Sequence, residues 1–246
     1  MCESAIEKNL SYIAVTDHCE IDLYEKERCE TLLRQSYFDM LKAQNVFGSE
    51  LGILKGIELG NALYDTALAK KAAERLPYDL ILGSLHHPTG VEDFAFIDFK
   101  LTAVKPLLDL YFDEMEELVD WGCFDILAHI TYPLRYINGM YKMNINIREY
   151  ENKLKRIYAK LIEQGKGLEI NTSGLRQSYG LTMPDLWCLR LYREAGGSIV
   201  TIGSDAHTAK DIGANIIDGL RLAKEAGFEN YCIYRQREPF YIKIEV

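Results

Sequence analysis

All five histidines of this 246-residue chain, His18, His86, His87, His129 and His207, stand directly after short apolar runs. The strings are IAVTDH, LILGSLHH, DILAH and IVTIGSDAH. Near-continuous apolar character, without polar alternation, predicts parallel strands buried on both faces. Seven such runs occur, over residues 12–16, 53–57, 80–85, 125–128, 167–170, 198–202 and 231–234. Longer amphipathic segments separate them. Residues 147–164 place Ile147, Tyr150, Leu154, Ile157, Leu161 and Ile162 on one helical stripe, and residues 107–121 do the same from Leu107 to Val119. A third stripe is formed by Ile212, Ile216, Leu220 and Ala223. Gly122, Gly165 and Gly227 follow these segments as helix C-caps. Strand and helix alternating along a whole chain predict an α/β fold. Seven strands with no nucleotide-binding glycine pattern favour a barrel over an open sheet, and a single domain over residues 1–246 suits a fold that runs to about 250 residues.

In a parallel barrel the carboxyl ends of the strands meet at one rim, where active sites sit. The histidines would therefore converge, although they are distant in sequence. Two acids occupy equivalent positions, Glu58 in ILKGIE and Asp205 in GSDAH; GLEIN adds Glu169 and Asn171. Imidazole and carboxylate together suit zinc, manganese or iron. A carboxylate such as Glu58 is able to bridge two metals about 3.5–4 Å apart, a spacing suited to phosphoester hydrolysis. The bland alternative, in which each histidine fills a polar niche, accounts poorly for five of five on one rim. His86 and His87 are adjacent, so in a strand they point to opposite faces. We therefore take His86 as the ligand and His87 as its neighbour or a substrate contact.

Bulk properties narrow the function. The net charge is −9, from 37 acids and 28 bases, which argues against nucleic acid as a partner. The six cysteines show no C-x-x-C pair, and no apolar run approaches a membrane span. A reducing cytoplasm and no membrane partner are the expectation.

The series TDH, GIE, GSLH, AH and SDAH, in this order, resembles the PHP (polymerase and histidinol phosphatase) superfamily over nearly the whole chain. GSLHH and EINTSGLR make it most similar to the histidinol-phosphatase branch. The resemblance implies a distorted (β/α)7 TIM-like barrel with two or three divalent metals. Glu58, His86 and His129 would hold the second metal, with Glu58 bridging to the first. Asp205 would belong to the first metal, and His18 and His207 to the third. Arg176, in NTSGLR, matches an arginine that grips substrate phosphate, and Arg135 is a second contender. A guanidinium fork suits that task because it meets phosphate oxygens in a bidentate way. Asp205 or His207 would protonate the leaving alkoxide.

The family pattern opens with a strand ending in His-x-His, and no histidine precedes His18 here. The segment from Ser4 to Asn9 looks like the latter half of a helix that should itself follow a strand. The start falls at an internal methionine, the chain was cut, or the strand is lost; the fit of residues 2–10 to the family's first helix favours a missing amino-terminal segment. A missing strand would leave two exposed sheet edges, which invite homo-oligomers. The expected activity is hydrolysis of a small phosphorylated substrate, foremost histidinol phosphate in histidine biosynthesis. The alternatives are another small phosphoester, or a truncated, weakly active metal-binding protein.

Overall fold

The computed structural model describes every residue from Met1 to Val246. In chain order the elements are α1 (Cys2–Glu7), β1 (Tyr12–Val15), β2 (His18–Glu20), α2 (Cys29–Phe47), β3 (Gly52–Gly60), α3 (Thr66–Ala73), β4 (Leu80–Ser84), α4 (Val104–Trp121), β5 (Ile126–Leu127), α5 (Glu151–Glu163), β6 (Gly167–Asn171), α6 (Leu186–Glu194), β7 (Val200–Gly203), α7 (Ile216–Glu225), β8 (Asn230–Arg235) and β9 (Glu238–Lys243). Seven strands form one parallel sheet in the order β1-β3-β4-β5-β6-β7, with β2 pairing further along β3. β1 lies against Gly52–Lys55 of β3 and β2 against Glu58–Gly60, so these two short strands are successive pieces of one edge. The sheet curls into a half-barrel whose end strands, β1 and β7, do not pair with each other.

The sheet's two faces do different work because side chains alternate along a strand. Ile57, Leu59, Ile81, Leu127, Leu168 and Ile170 point outward into the main core, against the helices. That core takes the buried stripe of α4, including Leu108, Tyr111, Phe112, Met115 and Leu118. The helix ends at Gly122, whose φ of 67° favours a residue without a Cβ. Cutting a leucine such as Leu108 or Leu118, both fully buried, back to alanine costs about 2–5 kcal/mol.

On the concave face Leu80, Leu82, Ile126 and Ala128 pack against Cys232 and Tyr234. Those two residues come from a β8–β9 hairpin, so the run at residues 231–234 is not the parallel barrel strand expected from its apolar character. It pairs antiparallel with β9, Cys232 opposite Tyr241 and Ile233 opposite Phe240. Burial of alternate residues by the concave wall gives a hairpin strand the same apolar look as a sheet strand. Asp79 fastens the hairpin from below: its carboxylate accepts from Lys55 N (2.9 Å) and Gln236 N (3.0 Å) and pairs with Lys55 Nζ (3.0 Å). Arg237 adds an ion pair with Asp125.

The expected third helical stripe is also shorter: Ile212 precedes α7 and packs instead with Ala5, Ile13, Leu51 and Ile53. The segment expected to be helical from residue 147 opens as a 3-10 turn at Ile147–Tyr150 before α5 begins. No helix is long and apolar enough to cross a membrane.

Candidate metal centre

The strand register builds the site. His18 lies opposite Glu58, Glu58 opposite Leu82, and Leu82 opposite Ile126. Residues paired across parallel strands share a face, so His18 and Glu58 stand on the concave side, above the apolar layer that Leu82 and Ile126 form with the hairpin. Beyond the ends of β4, β5 and β7 the chain adds His86, His129, Asp205 and His207. All five histidines, with Glu58 and Asp205, line one cavity of about 260 Å³.

Glu58 is the hub, 6% exposed. Its Oε1 lies 3.1 Å from Nε2 of His86 and 3.1 Å from Nε2 of His129, and its Oε2 lies 3.7 Å from Nε2 of His18. Donor atoms of His18, Glu58 and His86 all fall within 4.8 Å of one another. The rings of His18, His86 and His129 follow in a row with centroids 5.5 and 5.3 Å apart. His207 extends the row, 5.7 Å from His18, and its Nδ1 is 3.4 Å from Asp205 Oδ1. Imidazole nitrogens and a carboxylate that converge on one small space are the donor set a divalent transition metal takes. The buried Nδ1 of His129 has no hydrogen-bond partner, so the only polar contact of that ring is the one Nε2 makes with Glu58. The residues present therefore fit a metal ion.

Electrostatics reflect the crowding. Burial opposes ionisation of Glu58, yet hydrogen bonds from His129 and His86 and the charge of His18 hold its carboxyl well below the usual range. The hydrogen bond to Glu20, with the charge of Glu58, raises His18 to about 9. Burial, with the charges of Asp205 and Glu58 adding, pushes Glu169 up to about 7. His129 (φ 23°) and Asp205 (φ 49°) both hold left-handed backbone, a strained state that costs a non-glycine residue about 1–3 kcal/mol and clusters at functional sites.

Several neighbours went unread in the sequence. Glu20 Oε1 lies 2.9 Å from Nδ1 of His18 and 3.0 Å from Nδ1 of His86. Asp22 Oδ2 lies 3.4 Å from Nε2 of His87, and Asn61 Nδ2 reaches Asp22, Glu20 and His87 at 3.0, 3.3 and 3.0 Å. His87 turns toward this polar wall, away from the Glu58 hub. Glu169, which the sequence did mark in GLEIN, accepts from the backbone N of His129 at 3.1 Å and so acts on the site from behind. The only sequence signal for Glu20 is its place two residues after His18, on the same side of a strand.

The two arginines part company. Arg135 lines the cavity and lies 4.8 and 4.9 Å over the rings of Tyr132 and Tyr136, without a carboxylate partner. It opens a π-helical turn, Arg135–Met140, a feature common at functional sites. Arg176 does not line the cavity: its Nη2 donates to the carbonyl of Asp205 (3.2 Å) and its Nε lies 3.9 Å from Asp211. It braces the loop that carries Asp205 and His207, while its buried Nη1 has no partner.

Known proteins place this geometry. A protein of Thermotoga maritima named probable histidinol-phosphatase is 40% identical over 106 residues, a match spanning 43% of this chain and 42% of that protein. A protein of the same name from Clostridium acetobutylicum is 29% identical over 228 residues, 90% of this chain and 84% of its own length. The fold matches the crystal structure of histidinol phosphate phosphatase from Lactococcus lactis, complexed with zinc, L-histidinol and phosphate, with a TM-score of 0.81 at 20% identity, over 97% of this chain and 90% of that one. The PHP domain family model matches residues 1–173, and with that the chain belongs to the PHP domain family.

Proposed function

We propose that this protein is a divalent-metal-dependent phosphatase that hydrolyses a small phosphate monoester, and that the ester is histidinol phosphate. The observation that carries the proposal is the convergence of three imidazole Nε2 atoms on the buried carboxylate of Glu58, beneath an unpaired Arg135 in the same cavity. In this reading Glu58, His86 and His129 would hold one cation, Glu58 and Asp205 a second, and His18 and His207 a third. Zinc, manganese and iron all suit these donors. Divalent cations bound here would act as Lewis acids toward phosphoryl oxygens and water.

The chain's own residues supply the rest. The guanidinium of Arg135, beside two tyrosine rings, is free to take two phosphoryl oxygens and to offset the charge that builds on them during transfer. Arg176 fixes the loop of Asp205 through its hydrogen bond to the Asp205 carbonyl. Water attacks phosphorus opposite the ester oxygen as the ester P–O bond breaks; the proton it gives up passes to Asp205 or His207, which stand together at the open side of the cavity, and from there to the departing alkoxide. His87, on the polar wall with Asp22 and Asn61, contacts the organic part of the ester. The apolar layer of Leu82, Ile126 and the hairpin closes the floor of the cavity. We also read the half-barrel as a distorted TIM-like barrel with room for one more strand between the free edges of β1 and β7.

Phosphate release tests the proposal. With added zinc or manganese, L-histidinol phosphate should be turned over with a kcat/KM at least tenfold above sugar and nucleotide monophosphates. A flat profile across the panel would move the substrate to another small phosphoester. Metal uptake without turnover of any ester would make the chain a metal-binding protein and not a phosphatase.

A further inference from the structure

We infer that Glu20 is a positioning residue for two ligands at once: one carboxylate oxygen sets the tautomer and rotation of both His18 and His86. Oε1 of Glu20 lies 2.9 Å from Nδ1 of His18 and 3.0 Å from Nδ1 of His86. A neutral imidazole carries one N–H, and the nitrogen that donates to a carboxylate is the one that keeps it. With a cation on the inward side, where Glu58 lies 3.7 and 3.1 Å from the two Nε2 atoms, each ring would keep its one N–H at Nδ1, toward Glu20, and present the Nε2 lone pair to the ion. A carboxylate behind a ligating histidine fixes its orientation and raises its basicity, and removing such a partner costs 10–100-fold in metal affinity. Here a single side chain serves two imidazoles, which ties neighbouring ligands to one support.

The surroundings fix Glu20 in turn. Its second oxygen accepts from Asn61 Nδ2 at 3.3 Å, and Asn61 Oδ1 accepts from the backbone N of His86 at 2.9 Å. The carboxylate fits only because residue 60 lacks a side chain: a Cβ on Gly60 would sit 2.0 Å from Glu20 Oε2. His129 provides the contrast within the same site, since its Nδ1 has no partner and its backbone is held by Glu169 instead.

This inference rests on the pocket being a metal centre, and the test separates the two. Three variants, Glu20→Ala, Glu20→Gln and Gly60→Ala, would be stripped of metal and titrated with zinc against a chromophoric chelator. Histidine tautomers of the zinc-loaded proteins would be read by 15N NMR. Glu20→Ala should bind zinc 10–100-fold more weakly, and His18 and His86 should pass from the Nδ1–H form to a mixture while His129 keeps its spectrum. Glu20→Gln, whose amide oxygen still accepts, should lose less. Gly60→Ala should track Glu20→Ala by displacing the carboxylate while leaving every proposed ligand in place. Zinc affinity of Glu20→Ala within twofold of the parent, or unchanged tautomers, overturns the inference. If Glu20→Ala does not fold, Gly60→Ala and Glu20→Gln decide it by the same two readings. A parent protein that takes up no zinc overturns the metal centre as well; normal uptake by the parent with no loss in the variants removes only the role of Glu20.

Discussion

Asp79 gives the account its sharpest test of how the site is supported from beneath. It is 7% exposed, and its carboxylate joins the start of β4 to β3 through Lys55 and to the hairpin through Gln236. Asp79→Ala leaves two backbone N–H groups and the Lys55 ammonium without their acceptor. An unmet buried donor costs about 1–3 kcal/mol. The groove beside Asp79 is wide, about 570 Å³, so water reaches the freed groups and the low end applies. About 1 kcal/mol for each of the three contacts gives a loss of about 3 kcal/mol, a large share of the ~5–15 kcal/mol that holds a typical domain together. For a chain of this size that corresponds to a fall in Tm of about 6–12 °C. Asp79→Asn keeps one acceptor oxygen and should lose about half as much. The pH dependence has a definite sign. Burial works against the charged form, but hydrogen bonds from Lys55 N and Gln236 N and the Lys55 ammonium hold Asp79 below its ordinary value. A depressed carboxyl stabilises the fold fully above its unfolded pKa of about 3.9, and that stability is lost as pH falls through the folded value. Urea unfolding of metal-stripped protein at pH 7 and in acid measures this directly. The parent should exceed Asp79→Asn at pH 7 and converge with it below about pH 4. A difference under about 0.5 kcal/mol at pH 7, or one that persists unchanged in acid, would refute the reasoning.

Three further outcomes follow from the site. Glu58→Gln should lower zinc content and reduce kcat/KM for histidinol phosphate by at least about 100-fold, because the three imidazoles lose their shared anionic partner; metal analysis beside the phosphate assay checks both. Arg135→Ala should leave zinc affinity intact and cut kcat/KM by about 100-fold, whereas Arg176→Ala should weaken metal binding as the Asp205 loop loosens; steady-state kinetics with zinc titration tells them apart. Gly203→Ala would set a Cβ 2.0 Å from Glu169 Oε1, so it should displace the carboxylate that holds the His129 backbone and cost about 1–3 kcal/mol, read by thermal unfolding.

Much of this was legible in the sequence because the parallel strands announce themselves. Residues 80–84 and 167–171 are buried on both faces, and unbroken apolar runs mark them out. The convergence of His18, Glu58, His86, His129, Asp205 and His207 on one cavity followed from their shared place at strand ends. What stayed hidden depends on contacts between distant segments. The run at 231–234 has the same apolar texture as a sheet strand, and only its burial against Leu82 and Ile126, with Glu238–Lys243 beside it, turns it into a hairpin. Glu20 reads as an ordinary polar residue after a strand, since nothing local says that His86 approaches it from the next strand but one. Arg176, the stronger contender in the sequence, bonds to the carbonyl of Asp205, and Arg135 faces the cavity because a π-helical turn places it there.

The central claim is that this pocket binds divalent cations through Glu58 and the histidines around it. Anomalous diffraction at the zinc edge, from crystals soaked in zinc, tests it most directly. The account predicts strong peaks between Glu58 and the Nε2 atoms of His86 and His129, lost in crystals of Glu58→Gln. Zinc peaks confined to other parts of the surface, with none beside Glu58, would contradict it.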